Sequence, residues 1–245
     1  MNCQRPTHPV LAPWVLSPCV VVFAVICLTP GSQAQVTYAS QLRYVWANAL
    51  AQDPDGIEPI QNLTETVEAP DFGPFVRTVN PTAVSGTATG TALASEDSTA
   101  FTPTGFAVSG TASGTALLSF STRALAEAAF EASFTVDAAQ SYKLSGTIAI
   151  SGASQVSVQL FEEGGNFLHD FMADGAFQGE GVLMPGQTYY LYAFADGSAG
   201  FPYGPNDSFS GSFDLTFVVP ESEEYALFTA LGLGGWLVWR RRLSA

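Results

Sequence analysis

The stretch SFSGSFDLTFVV, residues 208–219, alternates between apolar and polar side chains from Ser208 through Phe217. Phe209, Gly211, Phe213, Leu215, Phe217 and Val219 fall on one face, and Ser210, Ser212, Asp214 and Thr216 on the other. A period of two over that length predicts a strand with one face buried and one in water. Working outward, the same alternation groups Tyr142 with Leu144, Ile148 and Ile150, and Val156 with Val158 and Leu160. Residues 123–132 are alanine-rich and also fit a helix. A strand is preferred, because Ser133, Thr135 and β-branched Val136 continue a two-residue period through Phe130, Ala132 and Phe134. Pro185-Gly186 predicts a tight turn ahead of Gln187–Ala195, whose tyrosine-rich composition suits a strand buried on both sides. Upstream, AVSGTATGTALAS at 83–95 recurs as AVSGTASGTALLS at 107–119, with eleven of thirteen positions identical. Two copies of a Ser/Thr/Gly strand pattern suggest neighbouring, paired strands, and two are too few for a solenoid. Roughly nine to twelve strands are expected between residues 35 and 219, which makes the chain all-β: a single antiparallel β-sandwich, jelly-roll-like.

Of the 245 residues, 22 are Asp or Glu and 8 are Lys or Arg, for a net charge of −14. Nothing here offers a phosphate backbone a positive surface, so nucleic acid is excluded as a partner. The charge is unevenly spread. Residues 1–34 read as a signal peptide: Arg5 near the amino terminus, an apolar run from Val15 to Leu28, then Pro30-Gly31 and Ser32-Gln33-Ala34. Cleavage is expected between Ala34 and Gln35. It would remove Cys3, Cys19 and Cys27, all the cysteine of the chain, and leave His169 as the only imidazole. No Cys–His pair and no Cys/His zinc site then remain. His169, between apolar neighbours, is expected on a solvent-facing strand position. The body from 35 to 219 keeps nineteen acidic residues and four basic ones, so anionic polysaccharide should be repelled unless cations bridge the two.

Residues 220–245 form a third region. Val219, Pro220 and Glu221 are followed by an apolar segment, 225–239, and by Arg240, Arg241 and Arg242. Fifteen helical residues span about 22 Å, a short membrane crossing, with Trp236 and Trp239 suited to the interface and the arginines to the cytoplasmic side. This tail resembles the PEP-CTERM sorting signal of exopolysaccharide-producing Gram-negative bacteria, although Ser222 stands where a second proline is usual. The resemblance implies an exported protein, held transiently in the inner membrane by its tail and recognised by an exosortase-type sorting peptidase. Delivery to the cell surface or exopolysaccharide matrix would follow. The same tail signature also carries a label that mentions ice-binding proteins. The body is similar in layout to the β-sandwich bodies of PEP-CTERM proteins.

The body's candidate chemistry is sparse. No nucleophile or base stands out, so a non-enzymatic protein without catalytic residues, cofactor or metal is expected. The main alternative is a carbohydrate-binding module, calcium-assisted or not, with Phe201 and Tyr203 of the loop Asp196–Asp207 as ligand-binding aromatics and matrix polysaccharide as partner. Asp53-Pro54-Asp55-Gly56-Ile57-Glu58 gathers carboxylates but lacks EF-hand spacing, and reads as a solvated turn. Glu162 with Glu163, or Asp170 with Asp174, would be the glycosidase pairs of a glycan-cleaving domain. Thr87, Thr89 and Thr91 would give a hydroxyl-bearing face suited to ice or carbohydrate.

Overall fold

The computed structural model describes residues 35–117, 121–200 and 206–220. They form β1 (Val36–Ala51), β2 (Gln61–Glu68), β3 (Phe75–Val79), β4 (Thr82–Ser85), β5 (Ala88–Ser98), β6 (Gly105–Leu117) and β7 (Arg123–Val136). Then follow β8 (Gln140–Gly152), β9 (Ser154–Glu162), β10 (Phe167–Phe171), β11 (Gly175–Leu183), β12 (Thr188–Gly200) and β13 (Asp207–Val218). The fold is all-β, two antiparallel sheets packed as a sandwich. Sheet 1 runs β10-β9-β12-β7-β1-β2, and sheet 2 runs β11-β8-β13-β6-β5-β3 with β4 against β5. From β6 onward the pairings nest: β6 with β13, β7 with β12, β8 with β11, β9 with β10. Strands β6–β13 thus behave as one long hairpin folded over itself, with successive pairs assigned alternately to the two sheets, and β1–β5 extend both sheets on one side.

The sequence pattern explains the layers. The stretch 208–219 becomes β13, central in sheet 2, with Phe209, Phe213, Leu215, Phe217 and Val219 buried. Residues 123–136 become β7, central in sheet 1, with Phe130, Ala132, Phe134 and Val136 buried, so the strand reading of the alanine-rich segment holds. Each fully buried aromatic of this kind contributes about 1.5–3 kcal/mol by leaving water. The core grades from large to small. Phe106, Phe130, Phe134 and Phe217 interlock with ring centroids 5.1–5.6 Å apart. Elsewhere glycine makes room for the rings: a Cβ on Gly110 would lie 2.4 Å from the Phe213 ring.

The repeat copies do lie side by side, since β5 pairs with β6 and sets Thr91 opposite Thr115 and Ala94 opposite Ala112. They are not structurally alike, however. The first copy spans β4, a turn at Gly86 (φ 58°) and β5, whereas the second runs unbroken along β6 as far as Leu117.

Two expectations are overturned. β12 is not buried on both sides: Tyr189, Leu191, Ala193 and Ala195 are buried, while Tyr190, Tyr192 and Phe194 remain half-exposed. Its outer face is a surface. His169 does not face solvent either. The β10/β9 register shifts between Phe167 and His169, and the ring turns against Tyr142 (centroids 5.9 Å apart) and over Gly179, with Nε2 enclosed. The expected signal segment 1–34, the loop aromatics Phe201 and Tyr203, and the tail from Glu221, with the expected membrane segment 225–239, lie outside the described residues.

Candidate functional site

The two outer faces of the sandwich differ in chemistry. On sheet 2, β6 presents Ser109, Thr111, Ser113 and Thr115 beside Ser208, Ser210, Ser212 and Thr216 of β13. Hydroxyls pair across strands, Ser95 with Thr111 at 2.6 Å. Thr89 and Thr91 join this face, while Thr87 sits in the Gly86 turn.

Sheet 1 presents aromatics and carboxylates. Its register sets Gln155, Asp196, Glu127, Trp46 and Thr66 in one row across β9, β12, β7, β1 and β2. The adjacent row is Ser157, Phe194, Ala129, Tyr44 and Glu68. Farther along, Tyr190 stacks on Phe161 with centroids 5.3 Å apart and planes 11° apart, and Phe161 meets the exposed Phe167 at 5.6 Å. Around the first row lies a concavity of about 260 Å³, lined by Trp46, Leu125, Glu127, Gln155, Asp196 and Ser198 among others.

Residues directly opposite on neighbouring strands have Cβ atoms about 4.5–5.5 Å apart, so Glu127 and Asp196 are crowded like charges. Burial, and then the charge of Glu127, hold the Asp196 carboxyl above its ordinary range, against a backbone N–H from Gln155. Asp196 Oδ1 is enclosed and has no hydrogen-bond partner among the described residues. Glu127 is oriented by Tyr44, whose hydroxyl donates to Oε1 at 2.5 Å. Burial and that bond push the Tyr44 hydroxyl up, and burial with Glu127, Glu131 and Asp196 does the same for Tyr192. The nearest cation on this face among the described residues is Arg123, four positions from Glu127 on β7 and so about 13 Å along the strand. The arrangement can stack an apolar ring face and accept hydrogen bonds at its edge.

A second polar cluster lies sealed between the sheets. Arg43 is 1% exposed; it donates to Gln41 Oε1 (2.9 Å), Ser98 Oγ (2.8 Å) and the Asp71 carbonyl, and its guanidinium lies 5.1 Å from the Phe101 ring centroid. Glu96, 2% exposed, has no donor in hydrogen-bonding geometry at either carboxyl oxygen among the described residues, and the Ser98 hydroxyl beside it only partly offsets its burial. Burial pushes Glu96 up to about 8, with Arg43 opposing.

Other sequence candidates fare differently. Asp53 is buried rather than solvated, and its carboxylate accepts the N–H groups of Ile57 and Glu58, each at 3.1 Å, which closes the turn and holds the acid below its usual range. Asp170 accepts from Gln159 Nε2 at 3.1 Å, and Asp174 from the Ile150 N–H at 3.1 Å, so these two acids serve different strands. Glu162 ends β9, and Glu163 begins the following turn. No cluster of three or more His, Cys, Asp or Glu suited to a metal occurs among the described residues. Of the positions expected to form a sorting motif, Val219 is buried just after β13 and Pro220 follows it; Glu221, Arg240, Arg241 and Arg242 lie outside the described residues, as does Ala34, expected to precede the cleavage site. Gln35 is exposed, and its backbone N–H donates to Asp137 Oδ1 at 3.0 Å. The row on sheet 1 was not anticipated; the outward Tyr190, Tyr192, Phe194 and Asp196 of one strand were its only local signal. No family model and no curated protein matches the chain.

Proposed function

We propose that the chain is an exported, non-enzymatic surface protein whose body binds saccharide on the outer face of sheet 1. The observation that carries this reading is the concavity walled by Trp46 on one side and by Gln155, Asp196 and Glu127 on the other. Aromatic faces stack on the apolar faces of sugar rings, and carboxylate and amide acceptors fix the hydroxyls at the ring edge. The nested strand pairing supports a jelly-roll body, an architecture that includes lectin domains. Export rests on the signal-like residues 1–34 and the PEP-CTERM-like tail. Cleavage before Gln35 would place a new ammonium group beside Asp137, a favourable neighbour for it. An exosortase-type peptidase and the inner membrane are the proposed partners of the tail, and matrix polysaccharide that of the body. In the test, the full chain is titrated with a panel of matrix oligosaccharides by calorimetry. Trp46→Ala is expected to weaken binding about ten-fold or more while leaving the melting temperature close to the parent's, because the ring is half-exposed. Binding unchanged by this substitution would overturn the site.

A further inference from the structure

The charge of the row narrows the ligand. We infer that the Trp46–Glu127–Asp196 concavity selects saccharides bearing a free amino group over their N-acetylated or neutral counterparts. This inference rests on the saccharide-binding reading and deepens it. Two carboxylates stand opposite each other on neighbouring strands, and no basic side chain among the described residues sits between or beside them. One of the four oxygens, Asp196 Oδ1, is enclosed without a donor, and another, Glu127 Oε1, is taken by Tyr44.

A bound sugar hydroxyl would give such a site one donor and leave the like-charge repulsion in place. A protonated amine brings three donors and the compensating charge, and charge-assisted hydrogen bonds are roughly twice as strong as neutral ones. Trp46 adds an aromatic face, which attracts a cation within about 6 Å of its centroid as well as the apolar side of a ring. Acetylation of the amine removes the charge and two of the donors, so the acetylated sugar keeps the stacking and one neutral N–H donor. On sheet 2 the nearest counterpart, Asp97 and Asp214, is separated by the strand that carries Ser109, so its two carboxylates are not direct cross-strand neighbours as Glu127 and Asp196 are.

The test compares the full chain binding a glucosamine hexasaccharide, its fully N-acetylated form and a glucose hexasaccharide of the same linkage, at low salt and at 0.5 M salt. The amine form is expected to bind about ten-fold more tightly than either neutral form at low salt. Salt should erase much of that preference. Glu127→Gln and Asp196→Asn, which keep shape and remove charge, should each bring the three affinities to within about two-fold while circular dichroism and melting temperature stay at the parent's values. Equal binding of all three sugars by the parent would overturn the amine preference and leave the saccharide site standing. Binding of none would overturn both. A preference that survives the two isosteric substitutions would place the amine elsewhere and overturn the inference.

Discussion

Glu96 and Arg43 show what one buried residue does to the whole. Both point into the space between the sheets, and the glutamate is without a donor of its own among the described residues. Its carboxyl titrates near 8 in the folded chain against 4.5 ordinarily, chiefly because burial disfavours the charge. A raised acid binds more protons folded than unfolded. Its stabilising contribution is therefore complete below pH 4.5 and is lost as pH rises through 8, on the order of a few kcal/mol across the window. Glu96→Gln should abolish that slope. Chemical denaturation of parent and variant at pH 4 and pH 8 is expected to give similar midpoints at the lower pH and a more stable variant at the higher. A parent as stable as the variant at pH 8 would mean that Arg43 fully compensates the buried charge.

At the scale of elements, the repeat shows the same tripeptide in two structures. Ser85-Gly86-Thr87 turns, because Gly86 adopts φ 58° at the start of a hairpin closed against Asp53, while Ser109-Gly110-Thr111 runs straight through β6. Tertiary context decides between them. Gly110 lies beneath the Phe213 ring of β13, and only a residue without a side chain lets β6 pass there. Ordinarily alanine outperforms glycine in a strand. Gly110→Ala should instead cost about 1–3 kcal/mol, because its Cβ would sit 2.4 Å from Phe213 Cε1 and 3.3 Å from the Ala128 Cβ, inside a packed core. Urea denaturation reads the cost, and a stabilised variant would show that the ring lies elsewhere. Local alternation made β13, β7 and the neighbourhood of β5 and β6 legible beforehand. It missed the four-residue β4, which is too short to carry a period, and it misjudged β12 and His169, where a register shift and a half-exposed outer face come from partners rather than from the strand itself.

For the molecule as a whole, two faces of opposite chemistry come from one folded-over hairpin and the strands that extend it. The row Gln155–Asp196–Glu127–Trp46 draws on residues far apart in the chain, so no window of sequence displays it; it exists only through the register of four strands. Phe201 and Tyr203, by contrast, share one short loop with carboxylates, which is the kind of signal a sequence window can display. The readings of the two termini rest on the order and spacing of residues alone, and both segments lie outside the described residues. β13, central in sheet 2, leads straight into Pro220, and Val219 is anchored by its N–H to the Thr104 carbonyl at 2.9 Å. A chain ending at Val219 therefore keeps all thirteen strands and the last anchoring bond. Such a chain should melt within a few degrees of the parent, since every strand of both sheets is kept. That separates sorting from folding. If residues 220–245 hold the protein in the inner membrane, the truncated chain should leave the membrane fraction for the soluble one, still able to bind saccharide. Undiminished membrane association of a folded truncated chain would remove the tail from the mechanism and place the attachment in the body.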